Sequence, residues 1–549
     1  MHLYFNGPIL TMDAQNSCPE AVLIDGARIR AVGREADLRK MMAQDDQETD
    51  LAGRCLIPAF LDPHGHFPDP GFIRLFRVDL SAPPRGDCPT IGTALQRLSQ
   101  KAAQTPDGDW VMGVLFDNTA VKEQRMPTRE ELDSVSTKHP IWVIHASGHN
   151  GVANSLALSR QGIDDTTPDP LGGRYGRAPN TGQLTGLVEG LAAMGAMGDT
   201  DFLIDRDRFW QGFAACREEY LAHGVTFAQN AWTSQMMLEH FASLPADQDP
   251  GIDLELLPIA ELEPGLSDTL IPNHWPGNPH FTLGPRKLFA DGAFQLQTAY
   301  LSAPYHVVSN PEHPCGMEYM SQDAMDQHVG DLHRAGFQIH CHCNGDAGAD
   351  MFINAVEAAM DTDPAPGPRR DHRHTIIHGQ TLRDDQLARM ADLGITVSFF
   401  SAHIHFWGDT HRDVFLGPER AARISPAASA ERFGVRYTIH NDASVTPTRP
   451  LHLAHCAVNR RTASGAILGE GEKVSVLSAL RAQTIDAAWQ VFKEDDRGSI
   501  EAGKRADLVI LSANPITQPD ALQSIQVLET IRNGETVFRG GDLAVEPAQ

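Results

Sequence analysis

Leu56-Ile57-Pro58-Ala59-Phe60-Leu61-Asp62-Pro63-His64-Gly65-His66 reads as an apolar strand that runs straight into two histidines one residue apart. A strand has period two, so His64 and His66 project to the same side. At the carboxyl end of a parallel barrel strand, that side faces the place where barrel enzymes do their chemistry. Two imidazoles so placed can bind one Zn²⁺. The plain alternative is a loop with two solvated histidines, so the reading turns on whether similar strands follow.

They do. Strand candidates recur at Leu56–Asp62, Val225–Gln229, Leu254–Ile259, Lys287–Ala290, Phe337–His342, His374–His378, Ile395–Phe399 and Tyr437–Asp442. Helical patterns lie between most of them. One runs from about Asp205 to His223 and stops at Gly224. Another has Asp346 as its cap and Phe352, Val356 and Met360 on one face. Strands alternating with helices predict an α/β fold, a (β/α)8 TIM-like barrel over residues 56–495. The interval between the first two strands is too long for one crossover. Residues 68–205 are therefore read as an insertion with its own strands, covering the barrel mouth. Both chain ends are β-rich, with hairpin signals at Asp25-Gly26 and Asn533-Gly534. Segments 1–55 and 496–549 are expected to pair as one small β-sandwich domain.

Composition narrows the function classes. The 549 residues carry 45 Lys plus Arg against 71 Asp plus Glu, a formal charge of −26. That balance argues against nucleic acid or a membrane surface as partner. No run approaches the roughly 18 apolar residues of a membrane span. Met1 to Gly7 lacks a basic region followed by an apolar run, and the eight cysteines are scattered, so reduced thiols and a cytoplasmic setting are expected. The unusual count is histidine, with 25 copies.

Three further motifs resemble the first in kind. In His340-Cys341-His342-Cys343 the alternation separates histidines from cysteines, so all four cannot ligate one ion on a regular strand. His342, at the strand end, is the ligand candidate, and a mixed Cys/His zinc site is the alternative. His374 and His378 share a strand face, with His378 at the end and His374 read as a hydrogen-bonded barrel histidine. Tyr437 to Asp442 ends in a carboxylate placed to bind a metal and to take a proton from water, or simply to cap the strand. Together these put His, His, His and Asp at the ends of strands one, five, six and eight.

At this point the chain resembles the metal-dependent amidohydrolase superfamily, and within it the branch that includes N-substituted formamide deformylases. The resemblance rests on Leu56 to His66 (with Ala59 where the family usually has Gly), Asp117-Asn118-Thr119 through Leu132-Asp133, and His145-Ala146-Ser147-Gly148-His149. It extends to Asn154 to Leu158 and to Gly498 to Leu508, and so covers nearly the whole chain. It implies that His64, His66, His342, His378 and Asp442 form a metal site. It also draws attention to Lys287, which such enzymes carboxylate to bridge two metals; a plain lysine paired with Asp291 is the alternative. Zn²⁺, as one or two ions, is the implied cofactor, and a homodimer the implied assembly. The implied reaction is hydrolysis of an amide C–N bond by metal-activated water, with Asp442 moving the proton. His149, His145 and His403 are candidates for an imidazole near the developing oxyanion, or for pocket wall. Trp232, Tyr300, Phe400 and Trp407 are expected to make the pocket apolar, consistent with a small N-substituted amide or formamide as substrate. A deaminase or cyclic-amide hydrolase, and a barrel that binds without catalysis, are the competing readings.

Overall fold

The computed structural model describes residues 1–170, 173–197, 205–259, 275, 277–361 and 371–540. Eight parallel strands carry the centre of the molecule. In order they are Phe60–Leu61, Val225–Thr233, Asp253–Pro258, Arg286–Phe289, Ile339–Cys343, Thr375–His378, Thr396–Phe399 and Tyr437–Ile439, and they are numbered one to eight below. They fall into two parallel sheets rather than one continuous ladder. Strands one to three form the first, with an unexpected edge strand, Phe281–Leu283, and strands four to eight form the second. A parallel bridge between Ile259 and Lys287 joins the sheets on one side. On the other, Asp442 N–H donates to the His64 carbonyl (3.2 Å) and His66 N–H to the Ala443 carbonyl (2.7 Å). The first join runs from the carboxyl end of strand three to the start of strand four, and the second falls just after the ends of strands one and eight, where candidate ligands lie.

The expected single strand Leu56–Asp62 is two strands. Cys55–Pro58 pairs antiparallel with Leu508–Leu511 in a terminal sheet, and Phe60–Leu61 alone enters the barrel. The chain changes sheets at Ala59, so one apolar run serves two layers. Helix Arg206–Ala222 forms as expected, its first turn closed by the Asp205 carboxylate accepting from Asp207 and Arg208 N–H. It ends at Gly224, whose φ of +80° and close neighbours, Val509 and Phe60, leave no room for a side chain before strand two. Asp346, expected as a cap, is instead the first residue of helix Asp346–Asp361, and its carboxylate holds Ser302 and Arg383. The stretch Asp361 to Arg370, whose Pro and Gly content reads as a loop between barrel elements, lies after its first residue outside the described residues.

One large apolar core surrounds the barrel, with Phe60, Phe67, Phe209, Leu254, Phe352 and Val397 among its buried members. Side chains of this size contribute roughly 1.5–3 kcal/mol each when fully buried. Residues 78–189 build a separate six-stranded sheet with cores of its own. A further core is shared between the chain ends, from Tyr4, Val22 and Leu56 on one side to Leu508 and Ile531 on the other. At the amino end of strand three, the buried Asp253 carboxylate meets Arg497, Arg505 (2.8 Å) and Arg532 (2.8 Å). Burial alone would raise its pKa; the three guanidiniums and His280 outweigh that and hold it well below the usual carboxylate range. This network ties the C-terminal sheet to the barrel end remote from the histidine pairs.

Candidate active site

The strand ends converge. Asp442 Oδ1 lies 3.2 Å from His66 Nε2 and 3.8 Å from His64 Nε2. Lys287 Nζ, on strand four and 1% exposed, lies 3.4 Å from His64 Nε2. On the next strands the His342 and His378 rings are 4.7 Å apart, and His378 Nδ1 is 3.3 Å from His440 Nε2. Two sets of donor atoms, His64–His66–Asp442 and His378–His440–Asp442, each lie within 4.8 Å of one another. His64 Nδ1 and Asp442 Oδ1 are buried without a hydrogen-bond partner. Buried polar atoms are normally satisfied, so unpartnered donor atoms within such a cluster fit a bound cation. Nitrogen and carboxylate donors of this kind suit a borderline divalent ion.

Backbone conformation singles out two of these residues. His378 (φ 73°) and Asp442 (φ 49°) sit in the left-handed region, which side chains rarely adopt outside turns and functional sites.

A ring of partners orients the donors. The Asp291 carboxylate faces His342 Nδ1 at 3.2 Å and accepts backbone N–H bonds from Asn344 and Gly345, which turns His342 Nε2 towards the centre. Asp291 thus serves His342, where the sequence alternative paired it with Lys287. Asp62 accepts from Asn441 N–H at 3.1 Å and from the Tyr220 hydroxyl at 3.3 Å, tying the strand-one and strand-eight ends together. Burial pushes its carboxyl up to about 7. Burial, reinforced by Lys287 and neighbouring imidazoles, lowers His64, and burial with the surrounding imidazoles lowers His378. Both are therefore neutral at physiological pH, the state in which imidazole ligates. For Asp442, burial would raise the pKa, but the close approach of His66 Nε2 and the charges of His66, His440 and Lys287 hold it well below the ordinary value.

Above this cluster opens a cavity of about 360 Å³, with His64, His66, Lys287, His342, His378 and Asp442 on its floor. Its walls are mostly apolar: Phe72, Val114, Leu115, Ile144, Trp232 and Phe289, with the His145–His149 loop of the 78–189 sheet across it. The His149 ring is 5.7 Å from that of His342, and burial lowers its pKa to about 3.

Four expected pocket residues do not line this cavity. Tyr300 turns its backbone to Asp291 (3.0 Å), in the loop that supports strand five. After strand seven the chain enters helix Ala402–Thr410 at once, which carries its aromatic groups behind the candidate ligands. Phe400 stacks on His440 at 5.4 Å, His403 lies 6.0 Å from His378, and Trp407 donates its indole N–H to Asp117 at 2.8 Å. His440 was the residue missed: His440 and Asp442 are one residue apart, the same alternation that exposed His64 and His66. Its Nδ1 is fixed by Ser398 Oγ at 2.8 Å.

Comparison with known proteins decides the family. A model described as amidohydrolase family matches residues 47–538. The chain belongs to the amidohydrolase family. It is a metal-dependent hydrolase acting on carbon–nitrogen bonds other than peptide bonds. This amidohydrolase is 30% identical over 547 residues to an N-substituted formamide deformylase of Arthrobacter pascens, covering 97% of each chain. It is 25% identical to a putative amidohydrolase, YtcJ, of Bacillus subtilis strain 168, over 98% of this chain and 99% of that one. Its fold matches an uncharacterised metal-dependent hydrolase from Pyrococcus horikoshii OT3 with a TM-score of 0.74 at 20% identity, covering 95% and 99% of the two chains. No helix among the described residues is long and apolar enough to cross a membrane.

Proposed function

We propose that this amidohydrolase cleaves the C–N bond of a small amide with an apolar N-substituent, an N-substituted formamide first among them. The observation that carries the reading is the meeting of His64, His66, Lys287 and Asp442 at the floor of an apolar cavity. The 30% relative, an N-substituted formamide deformylase, supports the substrate class.

His64, His66, His342, His378, His440 and Asp442 would hold the metal, with Zn²⁺ the ion best suited to the donor set. When bound, such an ion polarises a carbonyl oxygen and brings the pKa of water towards about 7. Lys287 Nζ sits among imidazoles, a poor place for a bare ammonium. Its carboxylation by CO₂ forms an N–C bond, releases a proton and turns the side chain into an anionic ligand, the condition for a second ion. Asp442 takes the proton of the attacking water and passes it to the leaving nitrogen, since its carboxylate is ionised at any working pH. His149, kept neutral by burial, offers an N–H to the developing oxyanion from the loop beside His342. Trp232 and Phe289, in edge-to-face contact at 5.4 Å, form one apolar wall against which the N-substituent would lie. The terminal segments form a composite sandwich beneath the barrel, and the insertion at 68–205 roofs the site.

The test is metal content by mass spectrometry on protein purified without chelators, followed by a screen of formamides, acylated amines and cyclic amides. One or two ions per chain with release of acid and amine is expected. Release of ammonia instead would make the protein a deaminase. A chain that neither holds nor takes up metal in the presence of bicarbonate would end the proposal.

A further inference from the structure

We propose that Asp117 is a positioning residue, a latch that fastens the 78–189 sheet to the barrel and holds the His145–His149 loop over the candidate metal centre. The inference rests on the site reading above. Asp117 follows the strand Val111–Phe116, and Trp407 lies 290 residues away on the helix that leaves strand seven. Their bond, indole N–H to Oδ2 at 2.8 Å, is almost wholly inside the protein, with Asp117 5% and Trp407 6% exposed. The other oxygen, Oδ1, accepts from the backbone N–H (2.8 Å) and the hydroxyl (2.7 Å) of Thr119. A carboxylate held on both oxygens in this way is fixed in direction.

The same carboxylate faces the catalytic loop. Ser147 N–H donates to His145 Nδ1 at 3.0 Å, so the neutral ring carries its proton on Nε2. That nitrogen is buried without a hydrogen-bond partner and lies 3.9 Å from Asp117 Oδ1. Ala146 N–H adds a bond to the Phe116 carbonyl at 2.9 Å. The loop that brings His149 to His342 is thus bonded to Phe116 and faces Asp117 across 3.9 Å, and Asp117 is bonded to the barrel through Trp407. An Asp that merely closed the Asp117–Thr119 turn would need neither Trp407 nor His145.

The experiment compares wild type with Trp407→Phe, which keeps the ring and removes only the N–H, with Asp117→Asn, and with the double variant, all loaded with zinc. Hydrogen exchange is followed over residues 141–150, and kcat and KM on an N-substituted formamide are measured beside metal content. Each single variant should raise exchange in this segment at least tenfold and leave strands five and six and the metal content unchanged. kcat should fall roughly ten- to a hundredfold, as expected when a positioned group is displaced. The double variant should be no worse than the more affected single, because both break one link. Unchanged exchange in the two single variants, or additive effects in the double, would overturn the latch. A wild type that hydrolyses no amide would overturn the proposed function, and the exchange results would still decide the latch.

Discussion

Strand six carries a histidine at each end, and the two live in opposite worlds. His374, just before Thr375, takes the Ile339 backbone N–H on Nδ1 (3.1 Å), and its Nε2 pairs with His333 Nδ1 (2.9 Å). His372 beside it accepts the His374 N–H and donates to the Leu393 carbonyl at 2.9 Å. Roughly 13 Å further along the strand, at about 3.3 Å per residue, His378 faces other imidazoles and a carboxylate. There the neighbouring His64 Nδ1 and Asp442 Oδ1 lack any hydrogen-bond partner. Both clusters are buried and rich in histidine, yet only one leaves donor atoms pointing at each other. Partnering, rather than the number of histidines, separates the proposed metal site from a polar rivet.

Asp442→Asn gives the strongest way to break that contrast. It keeps the shape and one ligand oxygen but removes the base, so kcat should fall by about 10³-fold or more, with much of the metal retained. Near-normal turnover in a steady-state assay would remove Asp442 from its role. Exchanging the treatment between the two ends comes next. His66→Ala should empty most of the metal, measured by mass spectrometry, with little change in melting temperature of the metal-free protein. His374→Asn should do the reverse, keeping the metal and costing about 1–3 kcal/mol of stability as buried partners are left unmet. Metal loss on the His374 change would dissolve the distinction.

Much of this was legible beforehand, for a physical reason. His64-x-His66 and the strand-end positions of His342, His378 and Asp442 follow from period-two alternation and from where parallel strands present side chains. His440 obeyed the same rule and was overlooked beside its carboxylate neighbour. The aromatic residues after strand seven misled because sequence cannot say that helix Ala402–Thr410 begins at once and turns Phe400 and Trp407 inward. The division of Cys55–Leu61 between two sheets was equally hidden, since both layers demand the same apolar residues. Long-range partners such as Asp117 and Trp407 leave no local pattern at all.

Acid should act on the open cluster in a defined direction. His149 and His440 are lowered by burial to about 3, and His411, behind the site, to about 4. Below the ordinary value of 6.5 the unfolded chain therefore binds protons that the folded chain refuses. The share of stability of the metal-free protein that these histidines govern should be whole above about pH 6.5 and decline as pH falls towards 4, read as melting temperature. Metal retention should fail over the same range, because protons compete for the ligand nitrogens. A full complement of metal after dialysis near pH ~4.5 would place the histidines outside the coordination sphere.

The smallest effect comes from Glu255, inside the barrel on strand three, which accepts from Gln229 Nε2 at 2.6 Å. Gly284 leaves it room, since a Cβ there would stand 2.3 Å from Glu255 Cγ. Burial pushes its carboxyl up to about 7, against the lowering effect of the Gln229 bond. Here the sign is opposite to that of the histidines. Between pH 4.5 and 7 the folded chain holds a proton that the unfolded chain releases, so this contribution is whole at low pH and lost as pH rises through 7. Glu255→Gln removes the ionisation and keeps the hydrogen-bonding shape. The variant should match wild type at pH 5 and exceed it by about 2 kcal/mol at pH 8. Denaturant unfolding at the two pH values measures this directly. A difference that does not change with pH would mean that the Glu255 carboxyl titrates alike in the folded and unfolded chain, leaving only the acid-side loss from the imidazole clusters.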